Sequence, residues 1–338
     1  MDFLSVLPSE AVSFSGTVVS FGSWVLGAAS PIDPTVDLQK VQGELAAHLW
    51  RTGGSFLVVV AALIAFLYTT RAGIIARATA KEAVRQPVFA LLMAVSVLML
   101  VVNTFVPFFS LGDDVKMLEI CGLATILISG MLMAIWTSSM SIADEIEGKT
   151  AMTLLSKPIN RRQFIIGKFM GIQTAVLMLV MPIVAAFWGL IVYKVLYDAH
   201  ESAIEVTSAI ARLEAFRILP AVVLSLLEIA VMSAISVAIS TRVPMVVNMV
   251  TCLAIFVVGH LTPTLVRGNL GKLELVTFFA RVIATVLPAI ENYNVEAAIV
   301  TGSVVEASYL GWAALYSASY VCAMVLLAFI LFEDRDLA

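Results

Sequence analysis

FIIGKFMGIQTAVLMLVMPIVAAFWGLIVY, residues 164–193, decides the fold class. Lys168 is its single charged side chain. About 20 consecutive apolar residues in helical form span the hydrocarbon core of a bilayer, and a helix is one of the few structures that satisfies its own backbone there. Five further stretches read the same way: Pro87–Pro107, Leu118–Ser141, Ile218–Ser240, Pro244–Leu265 and Ser308–Phe332. Gly54–Thr70 is shorter but strongly apolar and counts as a seventh span. Pro182 removes a backbone donor inside the quoted span and predicts a kink there.

The rest of the composition agrees. The chain has 338 residues, 61% of them hydrophobic and 13% charged, where soluble domains average about 45–50% and about 25%. The sequence therefore reads as an all-α integral membrane protein. A net charge of -4 and the lack of a basic run with interleaved aromatics speak against a nucleic-acid partner. Cys121, Cys252 and Cys322 each sit in an apolar stretch without metal-ligand spacing and read as small buried hydrophobes. His48, His200 and His260 are scattered, with no carboxylate or cysteine at ligand spacing, so no metal site is assigned. Met131, Met133, Met170, Met178 and Met181 read as gap-fillers in helix packing.

Lys and Arg mark the cytoplasmic loops. Arg71, Arg77, Lys81 and Arg85 follow the first span. Lys149, Lys157, Arg161, Arg162 and Lys168 follow Ser141, and Arg242 stands in the tight turn before Pro244. Alternate loops are then cytoplasmic, the N-terminus is outside and the C-terminus inside. Residues 1–53 form an extracytoplasmic segment and 54–70 an additional transmembrane helix. The loops 194–217 and 266–307 are extracytoplasmic. Val12–Ala29 ends in Gly27-Ala28-Ala29, as a cleavable leader does. Asp2 and Glu10 stand where its basic region belongs, so the segment reads as lying on the membrane.

Three shorter pieces have shape. Arg77, Lys81 and Arg85 form one basic stripe, opposite Ala72, Ala76, Ala80, Ala83 and Val84. That pattern predicts an amphipathic helix over 71–86, lying along the cytoplasmic membrane surface. Val206, Ala209, Ile210, Leu213 and Phe216 line a face of a second amphipathic helix. Leu275–Leu287 is apolar but short, a length that suits a re-entrant or interfacial segment ended by Pro288.

The loop 142–163, IADEIEGKTAMTLLSKPINRRQ, is the most informative polar stretch. An acidic helix end (Asp144, Glu145, Glu147) breaks at Gly148. A short helix over Thr150–Ser156 presents Met152, Leu154 and Leu155 and stops at Lys157-Pro158. Asn160 caps the next helix with Gln163 at its third position. A short, partly apolar helix held across two spans suits a groove on a soluble partner. By itself the acidic cluster also fits a solvated helix end. Ala143-x4-Gly148-Lys149-Thr150 comes close to a phosphate-binding loop. It lacks the first glycine, follows a membrane helix instead of a strand, and carries carboxylates where phosphates belong, so it is rejected as a nucleotide site.

Glu145, Glu147, Gly148, Thr150, Leu154, Leu155, Ser156 and Pro158, then Arg161 or Arg162 and Gly167-Lys168 opening a span, resemble the ABC type 2 permease family. The tail Phe332, Arg335, Asp336, Leu337 and the segment Leu287-Pro288-x-x-Glu291-x-Tyr293-Asn294 look like the family's endings. The resemblance runs from about Arg71 to Leu337. Lys149 departs from it by separating Gly148 from Thr150. It implies a six-helix exporter-like core over 87–338 plus the extra N-terminal helix. It also implies a connecting helix carrying Arg77, Lys81 and Arg85. The loop 142–163, with Asp144 and Arg161 included, becomes a coupling loop seated on a separate ABC ATPase subunit. ATP and Mg then belong to that subunit, and this chain binds no cofactor. A second permease copy or homologue completes the unit in the inner (cytoplasmic) membrane, usually for export.

Ionisable groups inside spans are costly and are functional candidates by default. Glu228 shares a helix face with Ser225 and Ser236, a polar seam that lines a pathway or is satisfied by a neighbouring helix. Asn103 and Asn248 are expected to bridge helices. A membrane-embedded enzyme is the first alternative, but neither H-E-x-x-H nor G-x-S-x-G occurs. A secondary transporter predicts paired broken spans, and Pro182 has no matching partner. A non-transporting membrane subunit of the same ATPase machinery is the third.

Overall fold

The computed structural model describes residues 38–105, 114–143, 161–201, 215–267, 288–295, 298–299 and 305–333. By internal contact the chain divides into Met1–His48 and Leu49–Ala338. In the first unit only the start of one helix is described. Every regular element among the described residues is helical.

Eight helices are described: α1 (Leu38–Thr69), α2 (Arg71–Arg85), α3 (Pro87–Phe105), α4 (Asp114–Ser138), α5 (Arg161–Glu201), α6 (Leu219–Ser240), α7 (Met245–Arg267) and α8 (Ala307–Glu333). A π-helical turn, Ser139–Ala143, extends α4, and a 3-10 turn covers Ile290–Tyr293. Five helices are long and apolar enough to cross a membrane: α3, α4 with its extension, α5, α6 and α8. In α7 the apolar part is shorter, Met245–Leu261. Gly53–Thr69 qualifies only together with α2, from which it is bent by 106°.

α6 is the centre of the bundle. Of its apolar window 72% is buried, against 22% for α3 and 17% for α8. It packs on α4, α5, α7 and α8. Its small residues, among them Ser233, Ala234, Ser236, Ala238 and Ser240, let those neighbours approach closely. Leu118, Ile126 and Met133 of α4 and Ile172, Leu179 and Ile183 of α5 fill the same core. Gly122 of α4 faces the Phe187 ring of α5, where any Cβ would collide. Outward positions such as Leu57, Leu91, Leu98, Val102, Trp312, Leu315 and Ile330 are exposed, the surface a helix turns toward lipid.

Several expectations change. α5, with Pro182 inside it, runs on to Glu201, past the expected end at Tyr193. The Lys194–Asp198 pair at 2.9 Å supports its last turns, and Lys194 also reaches Asp114 of α4 at 3.6 Å. The alanine face of α2 does not lie on lipid. Ala72, Ala76, Ala80 and Ala83 are buried, with α5 packed on them. Of the cysteines only Cys252 is buried, whereas Cys121 is half-buried and Cys322 exposed. Met131 and Met133 fill core space, while Met178 and Met181 face outward. The amphipathic stretch 206–213 and Leu275–Leu287 lie outside the described residues.

Candidate functional site

The loop 142–163 leaves the bundle at the end of α4 and returns at the start of α5, so its two stems are the place to look. Asp144, Glu145, Glu147, Gly148, Thr150, Leu154, Leu155, Ser156 and Pro158 lie outside the described residues. Arg161 and both stems lie within them.

The outgoing stem is held by buried polar groups. α4 gives way to a π turn at Ser139, a form that often marks functional positions. Ser138 Oγ and Ser236 Oγ of α6 share a hydrogen bond of 2.7 Å. Asn248 Nδ2 of α7 donates to Ser139 Oγ at 2.8 Å and to Ser236 Oγ at 3.0 Å. The Cys252 thiol donates to Asn248 Oδ1 at 3.4 Å. These five residues are buried, and together they join α4, α6 and α7 immediately inside the loop. Thr137 Oγ1 and Ser141 Oγ beside them are buried with no hydrogen-bond partner. One turn further in, Trp136 Nε1 donates to Gln86 Oε1 at 2.8 Å, which ties α4 to the residue capping α2.

The returning stem is held on two sides. Arg161 Nη1 donates to the Glu333 carbonyl at 3.1 Å, and Phe164 stacks on Phe332 at 5.6 Å. The C-terminal end of α8 is thereby fastened to the first turns of α5. On the other side Gly167 and Gly171 receive α2. A Cβ on Gly167 would lie 2.8 Å from the Ala72 carbonyl oxygen, and one on Gly171 would lie 2.7 Å from that of Ala76. The backbones touch, as small-x3-small spacing permits.

α2 starts with the Thr70 hydroxyl accepting from Gly73 N at 2.9 Å while donating to Phe66 O at 2.9 Å, which sets the sharp corner after α1. Its stripe Arg77, Lys81 and Arg85 is exposed. Arg77 lies over the Tyr68 ring at 4.9 Å.

The three seam residues of α6 are all buried but have separate surroundings. Ser225 Oγ donates to its own helix at Ala221 O, 3.1 Å away. Ser236 belongs to the knot with Ser138 and Asn248. Glu228 faces α7, where His260 Nε2 lies 3.8 Å from Oε1. No carboxylate stands near this histidine along the chain, so their approach is a product of the fold alone. Above them the 3-10 turn folds back into the bundle, with Ile290 on Gly259 and Tyr293 Oη sharing 2.7 Å with Ser317 Oγ. Burial pushes the Tyr293 phenol up to about 12.

Asn248 bridges helices as expected, and Asn103 is half-buried on α3. Sequence reasoning passed over Ser138, Ser139, Gln86 and Trp136, none of which stands out in an apolar stretch, and read Cys252 as a buried hydrophobe without its bond to Asn248. Gly167 and Gly171 did carry a signal, their spacing of four.

A family model described as ABC-2 family transporter protein matches residues 51–337. No curated protein matches the chain.

Proposed function

This chain belongs to the ABC-2 family of transporter proteins, and from that premise we propose that it is the permease of an exporter driven by ATP hydrolysed on a separate ATPase subunit. Membership makes the chain a multi-pass membrane component of an ABC transporter and implies partnership with an ATPase. The finer reading puts that ATPase under the loop 142–163. Asp144, Glu145 and Glu147 meet it with charge, and Leu154 and Leu155 with apolar surface. Two permease chains, alike or homologous, form the path in the inner (cytoplasmic) membrane, N-terminus outside and C-terminus inside. ATP and Mg stay with the ATPase.

One observation carries this reading: both stems of the loop are anchored to the bundle, and by different elements. The outgoing stem is bonded to α6 and α7, the returning stem to α2 and α8. A push on the loop therefore reaches four other helices, because buried, close-packed contacts shift as units. A merely solvated loop needs no such anchoring.

The test is purification of the chain in mild detergent from its own host, beside a variant with Glu145, Glu147 and Leu155 all changed to alanine. A soluble ATPase retained by the wild type and lost from the variant is the expected result. A wild-type chain that retains no ATPase overturns the proposal.

A further inference from the structure

We propose that the outward face of α2 is a binding surface for anionic phospholipid headgroups of the bilayer leaflet it borders, with Arg71, Arg77, Lys81 and Arg85 as its cations.

α2 is placed at the bilayer surface by what flanks it. It has 15 residues, about 22 Å of helix, and joins two uncharged apolar segments. Gly53–Thr69 precedes it, and Pro87–Phe105 follows after Gln86 alone. The corner at Thr70 turns α2 by 106° from the first of these. A helix tied at both ends to segments that enter lipid, and turned across one of them, lies along the membrane surface. Its alanine face is taken by α5, so the opposite face is the one left for an outside partner.

The composition of that face selects the partner. At about 100° per residue the four cations fall within about 120° of the helix circumference, and Ile74 stands in the middle of them. Glu82 is the single carboxylate of α2, and none of these five charged groups takes part in an ion pair among the described residues. Such an excess of one sign complements a layer of phosphates. Ile74 is 60% exposed, and Tyr68 at the end of α1 is 70% exposed. Apolar and aromatic side chains set among cations suit the headgroup layer, where they reach the acyl chains while the cations meet phosphate. Arg77 lies over the Tyr68 ring, a stacking that leaves its N–H edge for a phosphate oxygen. From Arg77 to Arg85 the stripe runs about 12 Å, longer than one phosphate group, so it fits a row of headgroups better than a single soluble anion. An acidic protein surface would match the charge as well, but the apolar segments at both ends of α2 put lipid next to it.

The test places a bimane fluorophore on Ala78→Cys, an exposed position within the same face, in the full chain with Cys121 and Cys322 replaced by serine. The chain is held in phosphatidylcholine nanodiscs that contain a small share of either phosphatidylglycerol or phosphatidylcholine carrying a nitroxide near the top of an acyl chain. Nitroxides quench at short range, so the ratio of the two quenching constants reports which lipid sits on α2. Phosphatidylglycerol should be preferred about fivefold or more, the factor that one Lys or Arg is worth at an anionic surface. With Arg71, Arg77, Lys81 and Arg85 all changed to glutamine the ratio should fall to about one. In about 1 M salt the wild-type ratio should fall toward one as well, which keeps the proposal testable if the variant does not fold. An excess of free glycerol phosphate should leave the ratio unchanged. Equal quenching by both lipids, no quenching by either, or a ratio unchanged in the variant overturns the proposal. Displacement by glycerol phosphate would give the face to a soluble anion and overturn it too. The assay contains no ATPase, so its failure leaves the permease reading standing.

Discussion

Replacing Gly171 by alanine should destabilise the protein, while the same change at Gly189 should stabilise it. At Gly171 the new methyl would lie 2.7 Å from the Ala76 carbonyl oxygen and 2.7 Å from Thr79 Cβ. Carbon atoms settle at about 3.5–4.0 Å, so α2 must retreat by about 0.8 Å. The obstructing atoms belong to backbone and a β-branched stem, so no flexible side chain can absorb the strain. Overpacking of this kind costs about 1–3 kcal/mol, roughly a 5- to 150-fold change in the equilibrium between packed and separated α2. A Cβ on Gly189 meets nothing within 4 Å, and the loss of glycine's freedom in the unfolded chain should return about 0.4–1 kcal/mol. Unfolding of the purified chain in mixed micelles with increasing SDS gives both values. A local reading comes from Thr79→Cys, a near-isosteric change at a residue 2% exposed. With Cys121 and Cys322 replaced by serine, its maleimide labelling should speed up by the same factor when Gly171→Ala is added. The double change Gly167→Ala/Gly171→Ala should cost less than the sum of its parts, because one retreat of α2 relieves both clashes. If Gly171→Ala raises stability as Gly189→Ala does, or leaves the labelling rate of Thr79→Cys unchanged, α2 is not seated on α5 and the anchoring of the returning stem fails with it.

Two further outcomes probe the other contacts. Asn248→Ala removes two interhelical hydrogen bonds and should cost about 1–3 kcal/mol; Ser225→Ala removes only a bond within α6 and should stay within about 0.5 kcal/mol in the same SDS titration. The raised Tyr293 phenol adds stability that is fully present below its unfolded value of 10.0 and is lost as pH rises toward about 12. Wild-type stability should therefore fall between those values more steeply than that of Tyr293→Phe, and parallel curves would remove Tyr293 from its buried bond with Ser317.

The spans were legible because a helix in lipid must carry its own backbone bonds and an apolar surface together, and both leave their mark in one dimension. What the sequence could not report is which face meets which. The small-residue face of α2, Ala72, Ala76, Ala80 and Ala83, has the same periodicity whether it rests on lipid or on another helix. The deciding partner, the pair Gly167 and Gly171, lies far along the chain and became meaningful only once α2 was seen to cross α5. Glu228 and His260 show the same limit. Each was visible as an ionisable group in an apolar helix, but their approach depends on the rotation of α7 against α6, which Asn248 sets by bonding Ser236 two turns below Glu228 on the same helix. That bond links the two candidate regions. Asn248 holds the outgoing stem of the loop, and it also fixes the register that brings His260 to Glu228. A movement of the loop stem that strains the Asn248–Ser236 bond would turn or slide α7 along α6, and His260 would move relative to Glu228. Through α7 the outgoing stem of the loop and the approach of His260 to Glu228 lie on one helix.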